Sequence, residues 1–161
     1  MTESFEAPAP ASTLPMWLLL GFAAGFLSVL TFHQGMGGVF YLLGWGNNAP
    51  YSMRSTWPLG VPQVISSAFW GGLWLTVFAA ASTRLPASMR IGGGFLIAGA
   101  LFGALVISPF NWFVLAPARG QPLGNGFILA NMLRGMLFNA TFGLGGALWM
   151  LAGQRLLAAR K

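Results

Sequence analysis

Long apolar runs alternate along the chain with short polar connections rich in Pro and Gly. Almost every residue from Met16 to His33 is apolar, and Pro15 suits the first turn of a helix. At 1.5 Å per residue that run reaches about 27 Å, close to the hydrocarbon thickness of a bilayer. Gly35, Gly37 and Gly38 then weaken the helix. The next apolar piece, Val39 to Trp45, is too short to span, so it reads as an interfacial segment. The alternatives are a re-entrant piece or a tilted continuation of the first span. A loop follows from Asn47 to Val61, marked by Asn-Asn, Ala-Pro, Trp-Pro and Val-Pro. Pro62 opens a second span that runs to Ser82. A tight connection from Arg84 to Arg90 leads into a third, from about Ile91 to Trp112. Pro109 should kink or end that helix. A second Pro/Gly loop, Ala116 to Gly126, precedes a fourth span from about Phe127 to Gln154.

The expected fold is therefore all-α, an integral membrane four-helix bundle. Its spans lie at about 15–34, 62–82, 91–112 and 127–154, within a single transmembrane domain over 15–157. Residues 1–14 are expected to form a disordered, Pro/Ala-rich tail, and 158–161 a basic one.

Composition strengthens the membrane reading. A water-soluble domain carries roughly 25% charged residues. This chain of 161 residues has 6% charged and 56% hydrophobic residues, and its only acids, Glu3 and Glu6, fall in the N-terminal tail. The net charge of +6 does not indicate nucleic acid, because the basic residues are scattered singly between apolar runs rather than gathered on one face. Such residues flank membrane helices and meet anionic lipid headgroups. The chain does not open with a basic n-region, so the first apolar segment is expected to be retained rather than cleaved. Cys is absent, which excludes a disulfide framework, a thiolate metal site and a cysteine nucleophile.

With four spans, both termini and the 84–90 connection share a side. That side holds Arg84, Arg90, Arg155, Arg160 and Lys161, against Arg54 and Arg119 opposite. The positive-inside bias then places both termini in the cytoplasm. Trp17 and Trp149 are expected near the cytoplasmic boundary, and Trp45, Trp57 and Trp112 near the outer one, as an aromatic belt. Trp70 and Trp74 share one face of the second span. The two halves also look alike: Arg54 and then Pro58-Leu59-Gly60 precede span two, as Arg119 and then Pro122-Leu123-Gly124 precede span four. This is either a duplicated hairpin, of the kind found in transporters, or a chance match among abundant residue types.

Several residues are candidates for chemistry. Gly21-x-x-x-Gly25, Gly99-x-x-x-Gly103 and the Gly143/Gly145/Gly146 cluster are small-residue patterns. They serve either self-association or packing within the bundle. His33, the only histidine, has Gln34 beside it. It is either a haem or proton ligand, or a polar residue at the outer interface bonded to a loop or headgroup. Arg134 lies in an apolar stretch with Asn131 and Asn139, and no carboxylate is present in the spans to pair with it. The alternative is an interfacial arginine snorkelling to headgroups. Arg54, Arg119 and Arg134 together would make a basic outer mouth, with Gln63, Asn111, Asn125 and Asn131 at similar depth. That set suits an anion, a lipid headgroup or a partner surface. A carboxylate pair, a Ser-His-Asp set, an H-E-x-x-H motif, a P-loop and a dinucleotide fingerprint are all missing, so catalysis is not expected.

Four stretches carry a family resemblance. They are Gly25-Phe-Leu-Ser-Val-Leu-Thr-Phe-His-Gln34, then Pro58-Leu-Gly-Val-Pro-Gln63 with Ser67-Ala-Phe-Trp-Gly-Gly-Leu-Trp74, and Leu115-Ala-Pro-Ala-Arg-Gly-Gln-Pro-Leu-Gly124. Over roughly residues 16–150 the pattern resembles a set of small, uncharacterised bacterial four-span inner-membrane proteins. The resemblance implies that fold and location and implies no activity. The expected function is a non-catalytic accessory or assembly subunit of a membrane complex, without cofactor. Its partners would be the bilayer, anionic headgroups and either another membrane protein or further copies of itself. A small oligomeric channel or carrier with an Arg-lined outer entrance is the alternative, and a haem- or quinone-binding subunit using His33 a weaker one.

Overall fold

The computed structural model describes residues 14–46 and 48–159. Of the tail expected at 1–14, residues 1–13 lie outside them and Leu14 is instead the first helical residue; Asn47, Arg160, Lys161 and the side chain of Asn125 also lie outside. Four helices are each long and apolar enough to cross a membrane: α1 (Leu14–Leu42), α2 (Gln63–Ser82), α3 (Gly92–Ala118) and α4 (Leu129–Ala158). A two-residue β-hairpin, β1 (Ser55–Thr56) and β2 (Val61–Pro62), closes the first long connection. The outward helix faces carry large exposed apolar side chains, among them Leu19, Phe69, Ile97, Leu105, Leu137 and Leu148. An apolar exterior of this kind suits a multi-pass membrane protein.

Two helices are longer than their sequence suggests. Gly35, Gly37 and Gly38 do not break the first one, which continues to Leu42, so 39–42 belong to α1 and are not a separate interfacial piece. A helical glycine costs about 1 kcal/mol relative to alanine. Unpairing backbone groups in lipid costs several kcal/mol each, so the ladder wins. Pro109 likewise does not end α3. The helix widens into π turns at Gly103–Ile107 and Asn111–Leu115, ahead of Pro109 and Pro117 respectively, and runs to Ala118. Ser108 Oγ donates to the Gly103 carbonyl at 3.3 Å, a side-chain bond of the type that reconciles proline with a membrane helix.

The helices pair as two hairpins built the same way. A Cβ placed on Gly21 would meet the Leu75 carbonyl and Ala79, and one on Gly25 the Gly71 carbonyl. In the second hairpin a Cβ on Gly99 would meet the Gly143 carbonyl and Ala147, and one on Gly103 the Asn139 carbonyl. Gly21, Gly25, Gly99, Gly103 and Gly143 thus pack α1 on α2 and α3 on α4, while Gly146 faces Leu75 of α2. The loop-side ends match too. Gly44 (φ 68°) follows α1 and Gly120 (φ 70°) follows α3, each completing a Schellman cap: Trp45 N–H donates to Phe40 O, and Gln121 N–H to Ala116 O.

α1 also packs along α4. Ser28 Oγ donates to Phe142 O at 2.6 Å, Trp149 Nε1 donates to Thr31 Oγ1 at 3.2 Å, and Gly145 admits the Phe32 ring. α2 and α3 meet differently, with aromatic rings set against one another: Trp74 on Phe102 and Phe110, Phe78 on Phe95 and Phe102. The termini-side half is solid around Trp17, Leu75, Phe78, Phe95 and Met150. Three tryptophans expected in an interfacial belt are packing residues instead. Trp17 and Trp112 are buried, with Trp17 Nε1 donating to Ala79 O, and Trp149 is half-buried on Thr31. A buried indole N–H needs an acceptor, and these chain contacts supply it for Trp17 and Trp149.

Candidate functional site

The loop-side half of the bundle is hollow. A crevice of about 760 Å³ lies between α2 and α3, and a chamber of about 450 Å³ lies between the end of α1 and the start of α4. Both volumes are in the range of small-molecule sites. Trp70, Leu73, Trp74 and Val77 of α2 and Ile107, Phe110, Leu115 and Ala116 of α3 wall the crevice, with Arg119 and Gln121 at its loop end. The chamber is more polar: Asn48, Asn131 and Arg134 join Gly37, Phe40, Trp45, Trp112 and Phe138. His33, Asn111 and Asn139 line both cavities, so the two spaces meet at these polar side chains.

Local structure explains their placing. His33 ends the π turn Val29–His33 and Asn111 begins the π turn Asn111–Leu115. π turns are rare and concentrate at functional sites, where they re-aim side chains. Nine further helical residues follow His33, about 14 Å of helix. The helix thus runs well past the residue at which the span count ends the first span. The His33 ring lies edge-on to Phe138 at 4.0 Å between centroids, and its Nδ1 is buried without a hydrogen-bond partner. Asn139 Nδ2 donates to Ser108 Oγ at 2.9 Å, which fixes α4 against the bend in α3. Arg134 sits 5.2 Å over the Trp45 ring, a cation–π contact that the α1 Schellman cap sets up by turning Trp45 back.

The expected basic mouth is divided. Arg119 belongs to the crevice, Arg134 and Asn131 to the chamber, and Arg54 and Gln63 line neither. Gln34 also lines neither; its Oε1 accepts the Tyr51 N–H at 2.7 Å and pins the loop to α1. Asn125 lies outside what can be described of side chains. Ser108 escapes a reading of the sequence because serine is common in membrane helices. A polar pair at 108 and 111 flanking Pro109 is the signal that marks it.

No family model, curated protein or solved structure matches the chain. Among the described residues no cluster of His, Cys, Asp or Glu could hold a metal ion. Residues 14–159 contain no carboxylate side chain, so neither Arg119 nor Arg134 has an internal counterion there. Guanidinium groups in such places bind anions, bidentately where the anion is planar or tetrahedral.

Proposed function

We propose that this chain is a non-catalytic, multi-pass protein of a bacterial inner membrane, and that it holds an anionic amphiphile in the crevice between α2 and α3. The supporting observation is the crevice itself. It runs from an apolar wall with exposed Trp70, Leu73, Val77 and Phe110 to Arg119 at the loop end. Acyl chains suit the first part and an acidic headgroup the second. The solid termini-side half favours a binding protein over an open pore. Both termini lie in the cytoplasm in this reading, in line with Arg84, Arg90 and Arg155 on that side.

An accessory role in a membrane complex keeps one support, the exposed hairpin tip with Trp57 and Leu59 at 93% and 83% accessibility. The amphiphile reading is tested by native mass spectrometry of the intact protein from a gentle detergent. One anionic lipid should be retained per chain, and Arg119→Gln should lose it. A bare protein, a neutral quinone in the extract, or equal retention by the variant would overturn the proposal.

A further inference from the structure

The chamber beside Arg134 is a second cavity, joined to the crevice at His33, Asn111 and Asn139 but lined by a different arginine. The hairpin repeat makes the two spaces counterparts. Using the glycine contacts as register, Gly21 matches Gly99 and Leu75 matches Gly143. His33 then falls on Asn111, Gly37 on Leu115, and Trp70 on Phe138. The second residue of each pair of caps, Trp45 and Gln121, lines the chamber and the crevice respectively. The crevice has an apolar wall facing outward; the chamber has gained polar groups in its place.

We propose that the chamber binds a phosphate group. Arg134 makes no hydrogen bond or ion pair to any described residue, and its one described partner is the face of Trp45. That contact holds the guanidinium by its π face and leaves its N–H edge to an anion. The side chains of Asn111 and Asn131 likewise donate to no described residue, and His33 Nδ1 is buried and orphaned. Amide and guanidinium groups that line a cavity without a partner among the described residues favour a polar occupant. One positive charge with no acid in 14–159 gives that occupant its sign. A carboxylate would be satisfied by the guanidinium alone. The further donors from Asn111 and Asn131 suit a tetrahedral group with more acceptor oxygens. A chamber of about 450 Å³ admits a phosphate ester of modest size, whether the headgroup of a phospholipid or a soluble ester.

Calorimetric titration of the full chain in detergent tests this with two probes, glycerol 3-phosphate and short-chain phosphatidylglycerol. Arg134→Gln should weaken the binding about tenfold or more, the scale of a lost charge-assisted bond. Gly37→Leu keeps the arginine and fills the chamber, so it should weaken binding too even if the first variant folds poorly. Arg54→Gln removes the same charge from the loop side, lines neither cavity, and should leave binding unchanged. Saturable binding of glycerol 3-phosphate with this pattern establishes a soluble ester site. Binding of the lipid alone with the same pattern establishes a headgroup site. Binding of neither probe, or equal weakening by Arg54→Gln and Arg134→Gln, would overturn the assignment.

Discussion

The α1–α4 seam and the α2–α3 seam occupy equivalent places in a bundle of two like hairpins, yet the first is closed from Ser28 to Phe32, short of the chamber, and the second is open. The residues at matching positions account for it. Gly145 accepts the Phe32 ring in the closed seam; its counterparts across the open one are Val77 and Phe110, both on the crevice wall. Ser28 bonds Phe142 O in the closed seam, where the open one has Val106 and Trp74. Lipid gives apolar side chains no reason to leave it for one another, so helix contact needs small residues or hydrogen bonds. The closed seam has both, whereas no side-chain hydrogen bond joins α2 to α3 among the described residues. At these matched positions the packed interface has glycine and serine where the open seam has two valines.

The largest effect should come from exchanging that difference. Gly145→Val gives the closed seam the residue of the open one. A Cβ there already overlaps the Phe32 ring, so overpacking should cost about 1–3 kcal/mol. A lowered thermal midpoint in detergent, with Val77→Gly showing no comparable loss, is the expected result. Equal loss from both would mean that the seams do not differ as described.

Ser28→Ala should cost less, about 0.5–1.5 kcal/mol, the net value of a hydrogen bond. The Phe142 carbonyl remains in its own helix, which limits the penalty. Val106→Ala at the matching position should change stability by less than Ser28→Ala does, since Val106 is exposed. Unfolding titrations of the two variants side by side measure the hydrogen bond's share of the closed seam.

Four apolar helices were legible in the sequence because the pattern that specifies them is one-dimensional: run lengths near 20 residues and a nearly acid-free chain. The helix ends were not. Gly35, Gly37 and Gly38 and Pro109 signal breaks in water, and the cost of unpaired backbone in lipid overrides them. The repeat showed only as Pro-Leu-Gly in two loops, because the matched positions share size rather than identity: Gly21 with Gly99, Ala79 with Ala147. The site was half visible. His33, Asn131 and Arg134 stand out as polar residues in apolar runs, but their grouping around Asn111 depends on π turns that shift helix phase, which periodicity cannot register. Arg54 and Arg119 look equivalent by sequence and are separated by the β-hairpin that carries Arg54 away from the cavities.

The smallest effect on stability, and a full effect on occupancy, is expected at Val77. Its side chain is 52% exposed on the crevice wall, so Val77→Trp has room and should shift stability by no more than about 0.5 kcal/mol. The indole would stand where the acyl chain is proposed to lie. Retained lipid should therefore fall to background while Arg119 is intact. A single Val77→Cys adds a chemical check, because the chain has no other thiol. That cysteine should react with a lipid-soluble maleimide, and bound amphiphile should slow the reaction. Ser28→Cys, fully buried in the closed seam, should stay unlabelled in the folded protein. If both cysteines reacted at the same rate, the two seams would be equally open, and lipid would have no reason to choose α2 and α3 over α1 and α4.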